Sequence, residues 1–295
     1  MKNYLLIVYI ILSSQMFAAD IYFRGNDKGV NCSSEQFEMQ LIDQLGDSRP
    51  IVFFVHGRGK HPEKGLGYLP EFEDRYGIKV LMFDWPSWIN QISRPEKKAV
   101  IAGRHLSNCI SSFSNFKNKN RKIFEGRKVF LMVHSMGNVV LKSFAENYLK
   151  SRKFEKIFYS TILNAPDVPA FKHSTWVDKL FSISKNIYIT NNVEDLVLIG
   201  SKIVDYKDRK IFRGNRLGAS KRNFLIFGKS ISKNAKYLDF SLITYGEHEY
   251  FLESSSSLVP KVYDSIFEGH EKFKLGHKIE GLNENIYSFN FNFYN

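Results

Sequence analysis

The chain has 295 residues, 43% hydrophobic and 15% aromatic, enough apolar material for a large buried core and too much for a wholly disordered polymer. Two cysteines exclude a disulfide-dense scaffold and any four-cysteine zinc module. With 42 Lys and Arg against 30 Asp and Glu, the net charge of +12 suits an anionic partner without specifying one.

At the N-terminus, Lys2 precedes nine uncharged apolar residues, Tyr4 to Leu12, and then Ser13, Ser14 and the small pair Ala18-Ala19 ahead of Asp20. One basic residue, a short apolar core and small residues before a polar start have the form of a secretory signal peptide over residues 1–19. The reading predicts cleavage after Ala18 or Ala19 and a periplasmic or secreted protein of residues 20–295. A buried N-terminal strand is the competing reading, and the run is short for an uncleaved anchor. Export puts Cys32 and Cys109 where a disulfide can form, although their spacing leaves two free thiols equally open.

Strands are predicted at Ile51–Val55, Val80–Phe83, Val129–Val133, Ile157–Leu163, Ile187–Thr190 and Leu238–Thr244. The first four are nearly continuous apolar runs, as expected where both faces of a sheet are covered. Helical patterns fall at about 94–116, 137–151, 194–204 and 250–267. Strands alternating with helices predict a single α/β domain built on a mostly parallel sheet. Residues 201–240 hold eleven Lys and Arg against three Asp, two thirds of the chain's excess charge. A C-terminal extension at 270–295 ends in Ile286–Tyr294, where Phe289, Phe291 and Phe293 alternate with asparagines, a pattern that predicts an added edge strand.

Four strand ends carry the chemistry. Val129–Val133 runs through His134 into Ser135-Met136-Gly137-Asn138, and a helical pattern starts at once. A serine on so tight a strand-to-helix bend exposes its hydroxyl, and the N–H groups that follow can face an oxyanion. The usual first small residue of such a bend is replaced by Val133. Ile51–Val55 ends in His56-Gly57-Arg58-Gly59-Lys60, where hydrolases of this type place their second oxyanion donor. Spacing excludes a nucleotide-binding phosphate loop there. The oxyanion donors are expected to be the N–H of Met136 and that of Gly57 or Arg58. A nucleophilic serine needs a base and an orienting acid, which in this architecture follow it in the order acid, histidine. His248, in Gly246-Glu247-His248-Glu249-Tyr250, has the order and the strand-end position; Asp195 is the first choice of acid and Asp167 the alternative. Asp84 reads as structural, and His173, His270 and His277 as surface groups.

These motifs, with Phe83-Asp84-Trp85-Pro86-Ser87, Ala165-Pro166-Asp167 and Arg216-Leu217-Gly218, resemble a bacterial α/β-hydrolase family of unassigned substrate, lipase- or esterase-like, over about residues 50–252. The resemblance implies the α/β-hydrolase fold with Ser135 as nucleophile, Asp195 as acid and His248 as base. Residues 201–240 then fall between acid and base as a basic cap-like insertion. The expected function is exported serine hydrolysis of an ester or related acyl bond through an acyl-enzyme, with no cofactor and no metal. The basic segment is either a dock for an anionic lipid or wall surface or a solvated loop. Nucleic-acid binding is not expected. The rival functions are an acyltransferase on the same triad and a catalytically inactive secreted binding protein.

Overall fold

The N-terminal segment Asp20–Tyr22 forms strand β1 and Val30–Asn31 forms β2, an antiparallel pair followed by helix α1 at Glu35–Gln44. A computed structural model describes residues 20–26, 28–59, 62–88, 93–150, 154–209, 214–220, 231–271, 273, 277–278 and 285–289. Residues 1–19, read above as a signal peptide, Lys60, and Phe291 and Phe293 lie outside these residues, as do 210–213 and 221–230 of the basic 201–240 segment. None of the opening elements was legible as a motif, because each is short and its apolar residues do not repeat.

The apolar run Ile51–Val55 is β3, followed by α2 at Pro62–Tyr76, β4 at Lys79–Phe83, α3 at Glu96–Lys119 and β5 at Val129–His134. Helix α4 covers Gly137–Asn147, β6 Phe158–Asn164, the short α5 Ser174–Val177 and β7 Ser184–Asn191. Then come α6 at Leu196–Arg209, β8 at Lys236–Asp239, α7 at Leu258–Phe267, β9 at His277–Lys278 and β10 at Ile286–Ser288. The strands form one ten-stranded sheet in the order β2-β1-β4-β3-β5-β6-β7-β8-β10-β9. From β4 to β10 every pairing is parallel, with β1, β2 and β9 antiparallel at the two ends. Among the described residues no helix is long and apolar enough to cross a membrane.

Alternation along the strands divides the core. Phe53, Val55, Leu131 and Val133 face a cluster with Leu106, Ile110 and Phe113 of α3 and Val140 and Phe144 of α4. Val52, Phe54, Phe130 and Met132 face the opposite cluster, with Phe72 of α2 and Val262, Tyr263 and Phe267 of α7. Both faces of the central strands are therefore dry, which accounts for their near-continuous apolar runs. A Cys32–Cys109 disulfide, with Cα atoms 5.0 Å apart, ties the end of β2 to α3. The free-thiol alternative does not hold.

Two predicted boundaries need correction. The strand expected over Leu238–Thr244 ends at Asp239, because the Asp239 carboxylate turns back to accept the Ser241 N–H at 3.1 Å and its hydroxyl at 2.5 Å. The helix expected from 250 begins at Leu258. Glu247 Oε1 accepts both the N–H and the hydroxyl of Ser255, and Ser254 and Ser256 hydroxyls cap the next backbone N–H groups, so local side-chain bonds displace the helix. His248 accordingly stands in a loop nine residues past the strand. Strand β10 is also not the outermost strand, since β9 pairs on its far side.

Candidate active site

The ends of β3, β5, β6 and β7 converge on Ser135. Its φ of 51° is in the left-handed region, which a side chain tolerates only where the surroundings fix it. Those surroundings are explicit. The Ser135 N–H donates to Asn164 O at 2.9 Å, and its carbonyl accepts from the Asp167 N–H at 3.1 Å and the Asn138 amide at 3.0 Å. Asn138 also donates to Val133 O, tying the strand to the helix it opens. Glycine is demanded on either side of this bend. A Cβ at Gly137 would lie 2.6 Å from His56 O, and one at Gly57 would lie 2.8 Å from the Ser135 Cβ. Val133, by contrast, points into the core beside Val55 and Leu163, so its bulk does not crowd the bend.

His248 links the serine to a carboxylate. Its Nε2 stands 2.8 Å from Ser135 Oγ and its Nδ1 2.7 Å from Asp195 Oδ2. Asp195 is fully buried, and its other oxygen accepts the Leu198 N–H in the first turn of α6 at 2.9 Å. The loop carrying His248 is folded by Tyr245 and Gly246, both at positive φ, and by Asn192, whose amide donates to Glu247 O. Glu247 therefore anchors the loop through its carboxylate and its carbonyl while pointing away from the histidine.

Asp167, the alternative acid, is not bonded to His248. Arg94 Nη1 meets its two oxygens at 2.7 and 2.5 Å, Ser201 donates to Oδ1 at 2.7 Å, and Arg216 Nε lies 3.0 Å away. Arg216 continues to Asp205 at 2.5 Å and Arg94 Nε approaches it at 3.3 Å, so two arginines and two aspartates form one buried cluster. This cluster fastens α6 to the β6 loop. Sequence reasoning missed it, since its members are spread from residue 94 to 216.

His56 is held on both sides. Its Nε2 lies 2.8 Å from Asp84 Oδ1 and its Nδ1 2.7 Å from Gly57 O, and its ring stacks on Trp85 and Trp88 with centroids 5.9 and 4.9 Å away. Asp84 thus pairs with His56 and not with the serine or His248. His173 is not a surface group. It is fully buried, facing Ala170 O with Nδ1 at 2.7 Å and the Tyr237 hydroxyl with Nε2 at 2.6 Å. Burial lowers its pKa and pushes that of Tyr237 far up, so the neutral ring accepts from the phenol and donates to the carbonyl. His270 is exposed.

A cavity of about 490 Å³ opens above the serine, lined by Ser135, Met136, His248, Arg94 and the Val197 and Val204 side of α6. An aromatic slot of about 30 Å³ adjoins it, between Tyr68, Trp88 and Phe251. Gly57 lines the slot, and Arg58 and His134 line both spaces.

Residues 33–254 match the family described as alpha/beta hydrolase of unknown function (DUF900). The chain belongs to that family. Its fold and the strand-end position of its candidate nucleophile are those of a hydrolase. A search of curated proteins finds no match to this family member. Among solved structures, it is similar to the esterase Est1E from Butyrivibrio proteoclasticus at 12% identity and a TM-score of 0.40, covering 86% of this chain and 94% of that one. It is similar to the Pyrococcus furiosus esterase Pf2001 at 12% identity and a TM-score of 0.40, covering 87% and 93%. A dienelactone hydrolase from Anabaena variabilis matches at 11% identity and a TM-score of 0.39, over 75% of this chain and 86% of that one.

Proposed function

We propose that this hydrolase is an exported serine esterase that cleaves an ester or related acyl bond through Ser135, His248 and Asp195. The observation that carries the reading is the unbroken hydrogen-bonded line from buried Asp195 through His248 to a serine at positive φ. His248 Nε2 takes the Ser135 proton as Oγ attacks the carbonyl carbon, while Asp195 accepts from Nδ1–H and so fixes the tautomer. The developing oxyanion receives the Met136 N–H at the start of α4 and the Gly57 or Arg58 N–H from the β3 loop. Because a trans peptide sets C=O and N–H in opposite directions, the His56 hold on Gly57 O turns the Arg58 N–H away from His56. His248 then returns the proton to the leaving alcohol; in the second half it takes a proton from water as the water oxygen attacks the acyl carbon, and hands that proton to Ser135 Oγ as the acid departs.

Export rests on the leader-like residues 1–19 and is supported by the disulfide, which persists in oxidising compartments. The test is labelling of the folded mature chain with a fluorophosphonate. Wild type should label, and Ser135→Ala and His248→Ala should not. A folded wild type that resists the probe sinks the reading.

A further inference from the structure

Helix α6 is apolar on faces where a surface helix is ordinarily polar. At about 100° per residue, Leu198 and Asp205 point to the core, and Val197, Gly200 and Val204 point to the catalytic cavity. A third face holds Leu196, Ile199, Ile203 and Tyr206, exposed by 70, 41, 63 and 57%. Tyr245, 69% exposed, extends this face beside the His248 loop, since the Leu196 N–H reaches Gly246 O. The helical periodicity puts Lys202 on one flank of the stripe and Lys207 on the other. Lys202 lies against Asn215 Oδ1 at 2.9 Å and Lys207 is exposed. Asp205 is buried against Arg216 and neutralised there, and the exposed Glu194 stands before the helix start, ahead of both lysines in the chain.

We infer that the α6 stripe seats the protein on an anionic lipid surface, so that the catalytic cavity draws its acyl ester from amphiphiles in that layer. This deepens the esterase reading and rests on it for the substrate, though not for the docking. Leu196, Ile199, Ile203 and Tyr206 enter the headgroup boundary, and the exposed Lys207 reaches along it to phosphate, while Lys202, bonded to Asn215, adds positive charge on the other flank. The occupant is chosen by charge: an apolar stripe between lysines, on a chain of net charge +12, is complementary to acidic headgroups. The cavity wall is the adjacent face of the same helix, so a docked α6 holds the cavity mouth at the lipid.

The experiment is cosedimentation of the mature chain with vesicles of phosphatidylglycerol in phosphatidylcholine, against phosphatidylcholine alone. Binding to the anionic vesicles should be at least about tenfold tighter. The Ile203→Glu/Tyr206→Glu variant should lose at least about tenfold of it, with fluorophosphonate labelling unchanged. A single Ile203→Trp variant, which keeps the face apolar, should show a blue-shifted difference emission on the anionic vesicles. Wild type that labels but does not sediment overturns the docking and leaves the esterase. Wild type that sediments through the stripe but does not label keeps the docking and overturns the esterase. Binding unaffected by the double glutamate variant, or a stripe that instead joins two copies in light scattering, overturns the docking.

Discussion

Asp195 and Asp167 are both aspartates that follow a parallel strand, and their bonds alone separate them. Asp195 gives one oxygen to His248 and one to a helix N–H, whereas Asp167 is shared between Arg94, Arg216 and Ser201. Asp195→Asn should therefore lower kcat by about 10³–10⁴-fold with little change in melting temperature, because the tautomer is lost and the packing kept. Asp167→Ala leaves Arg94 and Arg216 to share Asp205 alone, so one buried guanidinium charge goes uncompensated. It should cost about 3–5 kcal/mol in urea unfolding, with fluorophosphonate labelling retained in the fraction that stays folded. His56→Phe keeps the stacking between indoles and removes the hold on Gly57 O. It should lower kcat by about 10²-fold with KM nearly constant, as loss of an aligned oxyanion donor requires. A proportional rise in KM instead would show that His56 serves substrate binding.

At the scale of elements, the sheet was legible and its margins were not. Ile51–Val55 and Val129–Val133 announce themselves because both faces are buried; Ser135 and Asp195 follow from chain order and strand ends, and His248 from chain order, since its strand ends nine residues earlier. The helix at 35–44 and the strands at 20–22 and 30–31 are too short for periodicity to detect. The 240–257 region misled because its apolar residues, Phe240, Ile243 and Tyr250 to Leu252, are buried from a loop folded by Asp239, Glu247 and a run of serines. The Arg94–Asp167–Arg216–Asp205 cluster was invisible because salt-bridge partners leave no spacing rule. His173, which links the turn before α5 to β8 through Tyr237, carries a pH dependence. Burial lowers its folded pKa, so on acidification below about 6.5 the unfolded chain takes up the proton first. Its contribution leaves stability flat above that pH and makes it fall as pH drops toward the folded value. His173→Gln should flatten this part of the urea-midpoint profile between pH 7 and 5; an unchanged slope would assign it to other groups.

For the molecule as a whole, the first strand of the sheet limits where the leader proposed for residues 1–19 could be removed. Asp20 O accepts the Asp84 N–H at 2.9 Å, and Ile21 is buried in register with Phe83. Cleavage after Ala18 or Ala19 spares β1, whereas cleavage a few residues further in would strip a strand from the sheet. If the chain is exported as proposed, the intact mass of its mature form should place the first residue at Ala19 or Asp20. The excess charge is also unevenly spread, with residues 201–240 holding eleven Lys and Arg against three Asp, so surface adsorption should weaken steeply with salt.

The Cys32–Cys109 link closes a loop of sequence separation 77 that contains β3, α2 and β4. Its removal in Cys32→Ser/Cys109→Ser should cost about 2–4 kcal/mol of unfolding free energy. The link also sets the course of oxidative maturation. Cys32 emerges first and its partner Cys109 follows 77 residues later, within α3, so the link cannot close before β1 to β4 have been synthesised. With two cysteines in the chain, one intramolecular pairing exists. An oxidase alone can complete the protein, and no reshuffling of wrong bridges stands between synthesis and the finished fold.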